Sequence, residues 1–143
     1  MVIPTDRGWE NVQRAKPFVD AGLPLFIDKP LVDREEDLRQ FVQWHAEGKK
    51  FLSTSCMRYA REFTDLRRQL DAVGEMRLIT VTTAKSWERY GIHALEAVYP
   101  LLAPGGWLTV TNTGTPEANI VHARHRDGLD VVLAAVSDMY GAC

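Results

Sequence analysis

The stretch that decides the fold is residues 21–30, Ala-Gly-Leu-Pro-Leu-Phe-Ile-Asp-Lys-Pro. Gly22 is typical of a residue that ends a helix, and the apolar run Leu23 to Ile27 indicates a strand buried on both faces. Asp28, Lys29 and Pro30 then end that strand. Because ligands of open α/β sheets bind beyond the carboxyl ends of the strands, Lys29 becomes the first candidate for a functional residue.

The residues on either side alternate between helix and strand patterns. Residues 9–21 place apolar side chains three and four positions apart, which indicates an amphipathic helix, although Pro17 is unfavourable in its interior. Asp33 with Glu36 resembles a capping box that begins a second helix, and Gly48 ends it. The other predicted elements are strands at 1–4 and 51–54 and a helix at 62–72. This alternation predicts parallel strands with right-handed crossovers in an open doubly wound α/β sheet.

The pattern changes after Gly74. Residues 76–83 alternate apolar and polar side chains, which predicts a half-exposed antiparallel strand. A helix is predicted over 91–102, and Pro104-Gly105-Gly106 ends it. Three further strands are predicted at 107–113, 118–124 and 129–136, with a hairpin turn at 126–128. We therefore place a domain boundary near Gly74.

Composition and charge narrow the function classes. The chain has 143 residues, of which 45% are hydrophobic and 25% charged, values typical of a globular domain. A net charge of −2 favours neither nucleic acid nor an anionic membrane as a partner, and the first residues do not form a secretory signal. Two cysteines, Cys56 and Cys143, are expected to be free thiols in a reducing cytoplasm.

Two residues are candidates for chemistry. An ammonium at Lys29 can donate a hydrogen bond or a proton to a substrate hydroxyl or carbonyl, and the bond to Pro30 can be cis. The alternative is a surface lysine in a loop. His93 begins the helix predicted at Gly91, where the helix dipole disfavours its protonated form, and Glu96 follows on the same face. The alternative is a structural or capping histidine. The histidine spacings fit no ligand motif, so no metal site is predicted.

The order of these features resembles that of the Gfo/Idh/MocA oxidoreductases. Residues 6–30 resemble the family segment that ends in Glu-Lys-Pro, with Asp28 in place of the glutamate. The stretch 53–58, the step at 73–75 into a second sheet and the sequence 91–93 follow in the family's order. The similarity therefore runs along nearly the whole chain.

The resemblance implies a fold and an activity. It implies a partial Rossmann-like parallel sheet, the C-terminal part of a dinucleotide-binding domain over 1–74. The start of an α+β domain with an open antiparallel sheet follows over 75–143, for substrate binding and oligomerisation. It also implies hydride transfer between NAD or NADP and a small sugar, cyclitol or related polyol, in a homo-oligomer. The implied catalytic residues are Lys29 and His93, the cofactor-binding ones Asp6, Asp28, Lys29 and Pro30, and the substrate-binding ones Lys29, Arg58, His93 and Glu96.

The sequence departs from the family pattern in two places, and these departures change the expected function. Arg89 stands where many members have an aspartate, and no Gly-x-Gly-x-x-Gly occurs in the sequence. We therefore expect a fragment that lacks the first Gly-rich βαβ unit and the end of the second domain, and that binds dinucleotide weakly or not at all. The alternatives are a non-catalytic shortened homologue that binds a ligand or forms oligomers, and a lyase or hydrolase with a transient redox step.

Overall fold

The computed structural model describes residues 1–139, apart from the side chain of Val73. Cys143, one of the two predicted free thiols, lies outside the described residues, whereas Cys56 is an exposed free thiol. Contacts within the chain divide it into two compact units, the first Met1–Ser55 and the second beginning at Cys56.

The first unit is a three-stranded parallel sheet with two helices. Its strands are β1 (Val2–Ile3), β2 (Leu25–Ile27) and β3 (Phe51–Ser53), in the order β1-β2-β3. The helices are α1 (Asn11–Asp20), preceded by a 3-10 turn at Gly8–Glu10, and α2 (Glu35–Ala46). The core side chains that the helices bury against this sheet are Ile3, Ala15, Val19, Leu25, Ile27, Phe41 and Trp44. The predicted parallel sheet is confirmed.

Two local predictions for the first unit are wrong. Strand β2 is buried on one face only, because Phe26 is 38% exposed between buried Leu25 and Ile27. Helix α2 has Arg34 at its N-cap without a side-chain cap hydrogen bond, so the capping box at Asp33 does not form. The acidic residues of its first turn instead favour the positive end of the helix dipole.

The second unit begins with a helical connection and continues as a four-stranded sheet. Helices α3 (Arg61–Arg67) and α4 (Leu70–Val73) replace the single helix predicted at 62–72. They are followed by β4 (Leu78–Ala84), α5 (Trp87–Val98), β5 (Trp107–Asn112), β6 (Ala118–His125) and β7 (Asp130–Val136). Residues 56–74 form helices and turns, so the predicted boundary at Gly74 and the contact-based division differ only in which unit takes this connection.

The strand order of the second sheet is β4-β7-β6-β5. Strands β5, β6 and β7 pair antiparallel, but β4 pairs parallel with β7. The antiparallel prediction for β4 is therefore wrong: its only neighbour in the described sheet is the last strand, which happens to run in the same direction. The α/β fold class is confirmed, with a mixed rather than an antiparallel second sheet.

Helix α5 covers one face of the second sheet. Ala94 and Val98 of α5 are buried against Val121, Val131 and Leu133. The opposite face, which we call the outer face, contains the apolar side chains Leu78, Ile120, Val132 and Val136. Within residues 1–139, no helix has the length and apolar character to cross a membrane.

Candidate functional site

The first candidate site is the loop that follows β2. The peptide bond between Lys29 and Pro30 is cis, an isomer that the sequence analysis considered. The backbone N–H of Asp28 donates to the carbonyl of Ile3 at 2.9 Å, and its Oδ1 accepts from the backbone N–H of Lys29, also at 2.9 Å. Asp28 therefore extends the sheet pairing and shapes the loop that presents Lys29.

Asn11 hydrogen-bonds to this loop, and its role was not predicted from the sequence. Its side chain is fully buried, and Nδ2 donates to the carbonyl oxygens of Pro30 and Leu31, both at 3.0 Å. The available signal was a polar residue on the buried stripe of α1, four positions before Ala15 and eight before Val19. A buried amide with two carbonyl partners fixes the backbone just after Lys29.

The turn before α1 packs directly on the same loop. A Cβ at Gly8 would lie 2.6 Å from the backbone carbon of Val32 and 2.7 Å from the nitrogen of Asp33. Only glycine allows this approach, because real Cβ atoms do not come so close to backbone atoms.

The predicted cofactor-binding residues share one edge of the first sheet. Asp6 follows β1, and Asp28, Lys29 and Pro30 follow β2, so all four lie at the carboxyl edge of two parallel strands. Open α/β sheets bind ligands at this edge. The pyrophosphate requires backbone N–H groups at an open helix start. Gly8, at the helix start that follows β1, is buried against Val32 and offers no such cradle, so these residues fit only part of the cofactor.

The second candidate site lies within the second unit and is a groove of about 620 Å³ that His93 lines. Most of its other lining side chains are apolar: Met57, Ala60, Phe63, Val81 and Ala94. Its polar groups include Thr82, Thr83 and Tyr90. A groove with an apolar wall and a few polar groups is the usual form of a small-molecule site.

His93 lies within a helix and does not begin one. Helix α5 starts at Trp87, with Ser86 as its N-cap residue, because Lys85 adopts a left-handed conformation with φ of 67°. The helix-start argument for His93 is therefore wrong, since the dipole acts within the first turn.

Tyr90 and Lys85 accompany His93, and sequence reasoning missed both. The rings of Tyr90 and His93, one helical turn apart, have centroids 5.2 Å apart. Lys85 Nζ donates to the hydroxyl oxygen of Tyr90 at 2.7 Å. The three-residue spacing on a helix was the available signal. The set places a hydroxyl and an imidazole side by side at the groove, where they can bind or deprotonate an alcohol.

Arg58 and Glu96, two of the predicted substrate-binding residues, bind each other. Arg58 Nη2 donates to Glu96 Oε1 at 2.6 Å, and Arg58 Nε donates to Oε2. The guanidinium also lies 4.5 Å from the ring centroid of Tyr99. The hydrogen bonds that Arg58 donates to Glu96 raise the pKa of Arg58. The pair joins the turn at 56–59 to α5 at Glu96, one helical turn after His93. It therefore helps to hold in place the part of α5 that carries His93.

His125, the last residue of β6, is buried with 2% exposure. It continues the inward alternation of Val121 and Ala123 along β6, which the sequence analysis did not extend far enough. Its ring packs edge-on against Trp107 at 5.4 Å, and Nδ1 lies 2.9 Å from Asp127 Oδ1, without hydrogen-bond alignment. The backbone N–H of Leu129 and then His125 lower the pKa of Asp127.

Comparison with solved structures places this architecture among oxidoreductases. An oxidoreductase from Pseudomonas syringae superposes with a TM-score of 0.83 and 14% identity, over 98% of this chain and 44% of that chain. The WlbA dehydrogenase from Thermus thermophilus, solved with NAD and α-ketoglutarate, gives 0.77 and 18%, over 96% and 50%. A protein proposed to be a myo-inositol dehydrogenase from Sinorhizobium meliloti gives 0.77 and 17%, also over 96% and 50%.

The chain has the fold of oxidoreductases of the Gfo/Idh/MocA type and spans about half the length of the solved structures that it matches. No model of a known protein family matches the sequence, and no curated protein does either.

Proposed function

We propose that this chain belongs to an NAD(P)-dependent oxidoreductase that acts on a sugar, cyclitol or related polyol by hydride transfer. The observation that carries the proposal is the position of Lys29. It follows a parallel strand at the edge where such sheets bind ligands, and Asp28 and Asn11 fix its loop. A rigid loop places an ammonium reproducibly against a substrate oxygen.

The roles of the two proposed catalytic residues follow from their chemistry. When bound, a nicotinamide supplies the hydride acceptor. Lys29 donates a hydrogen bond to the carbinol oxygen and stabilises the negative charge that grows there as the proton leaves. His93, at its groove in the second unit, can accept a proton from a substrate hydroxyl, and Tyr90, with its hydroxyl hydrogen-bonded to Lys85, packs at a tilt against the imidazole and restricts its orientation. Arg58 and Glu96 position α5 and so act on the substrate through His93.

A polyol substrate is supported by two observations. One solved neighbour is proposed to be a myo-inositol dehydrogenase. In this chain, Thr82, Thr83, Tyr90 and His93 supply hydroxyl and imidazole groups at the groove, while its apolar wall suits the carbon face of a ring.

The direct test measures nicotinamide reduction by the protein with NAD or NADP and a panel of cyclitols, hexoses and acyclic polyols. The Lys29→Met and His93→Ala variants should each lose about 100-fold or more in kcat while folding normally, as expected of proton-transfer groups. Matched controls are the Lys50→Met and His122→Ala variants, which change exposed residues outside both sites. Full turnover in the Lys29→Met variant would show that Lys29 takes no part in the reaction.

The second candidate function is a non-catalytic module that forms oligomers, and the outer face of the second sheet favours it. Ile120 is 45% and Leu78 56% exposed on that face, where Val132 and Val136 add apolar area. Self-association would cover this surface and is compatible with either function. Absence of turnover with both nucleotides, together with a stable oligomer, would favour the module. A cytoplasmic location is part of the proposal, because the exposed thiol of Cys56 would stay reduced there.

A further inference from the structure

A second cavity lies within the second unit, away from the groove that His93 lines. Its volume is about 290 Å³, and its walls include Arg67, Tyr99, Gly105, Trp107 and His125. This volume is at the small end of ligand sites, so the cavity suits a compact molecule. The proposed oxidoreductase function uses none of these residues.

One edge of the His125 imidazole is kept open toward this cavity. Nδ1 lies on the side of Asp127, 2.9 Å from its Oδ1. A Cβ at position 105 would come within 3.1 Å of Cε1 and 3.3 Å of Nε2, so Gly105 leaves that edge uncovered. Within residues 1–139, Nε2 has no hydrogen bond. Nδ1 is the ring nitrogen that is buried without a hydrogen bond in the described part of the chain, so Nε2 is the nitrogen available on the cavity side.

One arginine, Arg67, lines the cavity, and a second, Arg126, lies near its wall residue Gly106. Arg67 is exposed at its wall and makes no ion pair with any residue of the described part of the chain. Arg126 Nε lies 4.0 Å from the position that a Cβ on Gly106 would take, also at the wall. The nearby acidic group is Asp127, whose Oδ1 already accepts the backbone N–H of Leu129 at 3.0 Å and lies beside Nδ1 of His125.

We propose that this cavity binds a tetrahedral oxyanion, the phosphate group of a small phosphorylated molecule. Nδ1 of His125 lies beside Asp127, so Nε2 is the ring nitrogen left for a hydrogen bond with an oxygen of the anion. Arg67 supplies a charge-assisted contact on the other side. The rings of Tyr99 and Trp107 offer a surface for the remainder of the molecule.

The test titrates the 143-residue protein with inorganic phosphate and, separately, with a hexose phosphate, followed by isothermal calorimetry and by the ring ¹⁵N signals of His125. Saturable binding that shifts the Nε2 signal is expected. If the hexose phosphate binds more tightly, the ligand is a phosphate ester. If both bind equally, the ligand is free phosphate.

Variants separate this site from non-specific charge binding. The Arg67→Gln variant changes an exposed side chain and should weaken phosphate about tenfold, the usual cost of one charge-assisted contact. The matched control is Arg68→Gln, which changes an exposed neighbour that pairs with Asp65, and binding there should change less than twofold. Equal loss in both variants, or phosphate binding without any change at the His125 ring, would overturn the proposal. A His125→Gln variant is informative where its melting curve remains cooperative, and it should also lose binding.

Discussion

Arg58 and Glu96, 38 residues apart in the sequence, form a two-pronged ion pair in which the carboxylate is 8% and the guanidinium 34% exposed. The pair connects the turn after β3 to the helix that bears His93. Its energetic character follows from this unequal burial. Loss of the arginine removes two charge-assisted hydrogen bonds from a buried carboxylate, whereas loss of the carboxylate leaves an arginine that solvent can still reach.

The Arg58→Ala variant should therefore lower the free energy of unfolding by about 2–4 kcal/mol, the lower range for a partly exposed pair. Glu96→Gln should cost less, because the amide keeps one hydrogen bond. Chemical denaturation measures both. Arg68→Ala, which breaks an exposed pair with Asp65, is the control and should cost less than about 1 kcal/mol. A larger loss in Glu96→Gln than in Arg58→Ala would contradict this account.

The amide of Asn11 gives the second prediction. The Asn11→Ala variant leaves the carbonyl oxygens of Pro30 and Leu31 without their donor and should cost about 2–6 kcal/mol, at roughly 1–3 kcal/mol for each unsatisfied group. Faster hydrogen exchange at residues 29–33 should accompany the loss. Gln13→Ala, on the exposed side of the same helix, is the control. Unchanged exchange in Asn11→Ala would show that another contact fixes the loop.

Asp127 predicts a pH dependence of stability. The backbone N–H of Leu129 and the His125 ring lower its pKa in the folded protein below the ordinary aspartate value of about 3.9. The stabilisation is therefore present above about pH 4 and is lost as pH falls through the lower folded value. Asp127→Asn should destabilise at pH 7 by at most about 1 kcal/mol, because the side chain is about one-third exposed, and the difference should vanish in acid. An equal difference at both pH values would contradict the assignment.

The outer face predicts a change in assembly. Ile120→Lys places a charge in the middle of that face and should lower the molar mass measured by light scattering, with little effect on the melting temperature. Gln69→Lys adds the same charge at an exposed position elsewhere in the second unit and should leave the mass unchanged. If the parent chain is already monomeric at micromolar concentration, the oligomer proposal is wrong.

Much of the fold was predictable because it depends on local patterns of apolar and polar residues. The alternation around residues 21–30 predicted the parallel sheet and the position of Lys29 at its edge. The turn at 126–128 and the strands that flank it were also predicted, since a hairpin depends on adjacent residues. The start of α5 was misplaced by four residues, because Ser86 at its N-cap makes no side-chain hydrogen bond and the Gly91 signal was stronger.

The candidate sites were less predictable because their contacts join distant residues. Arg58 and Glu96 were each predicted to bind substrate, and nothing in their spacing indicates that they form an ion pair with each other. The role of Asn11 depends on the position of Pro30 beside it, and the environment of His125 depends on Gly105 and Trp107, which pack against its ring. Burial of a polar side chain is decided by its neighbours in space.

The sequence by itself determined which segments form strands and helices, the parallel arrangement of β1 to β3 and the placement of Lys29 after a strand, since these depend on periodicity within about a dozen residues. Tertiary structure alone decided that β4 lies beside β7, that Arg58 is bound by Glu96 and that His125 is buried with one edge facing a cavity. Strand order and polar burial are settled when whole elements pack, where one residue's environment is made by others that no local pattern specifies.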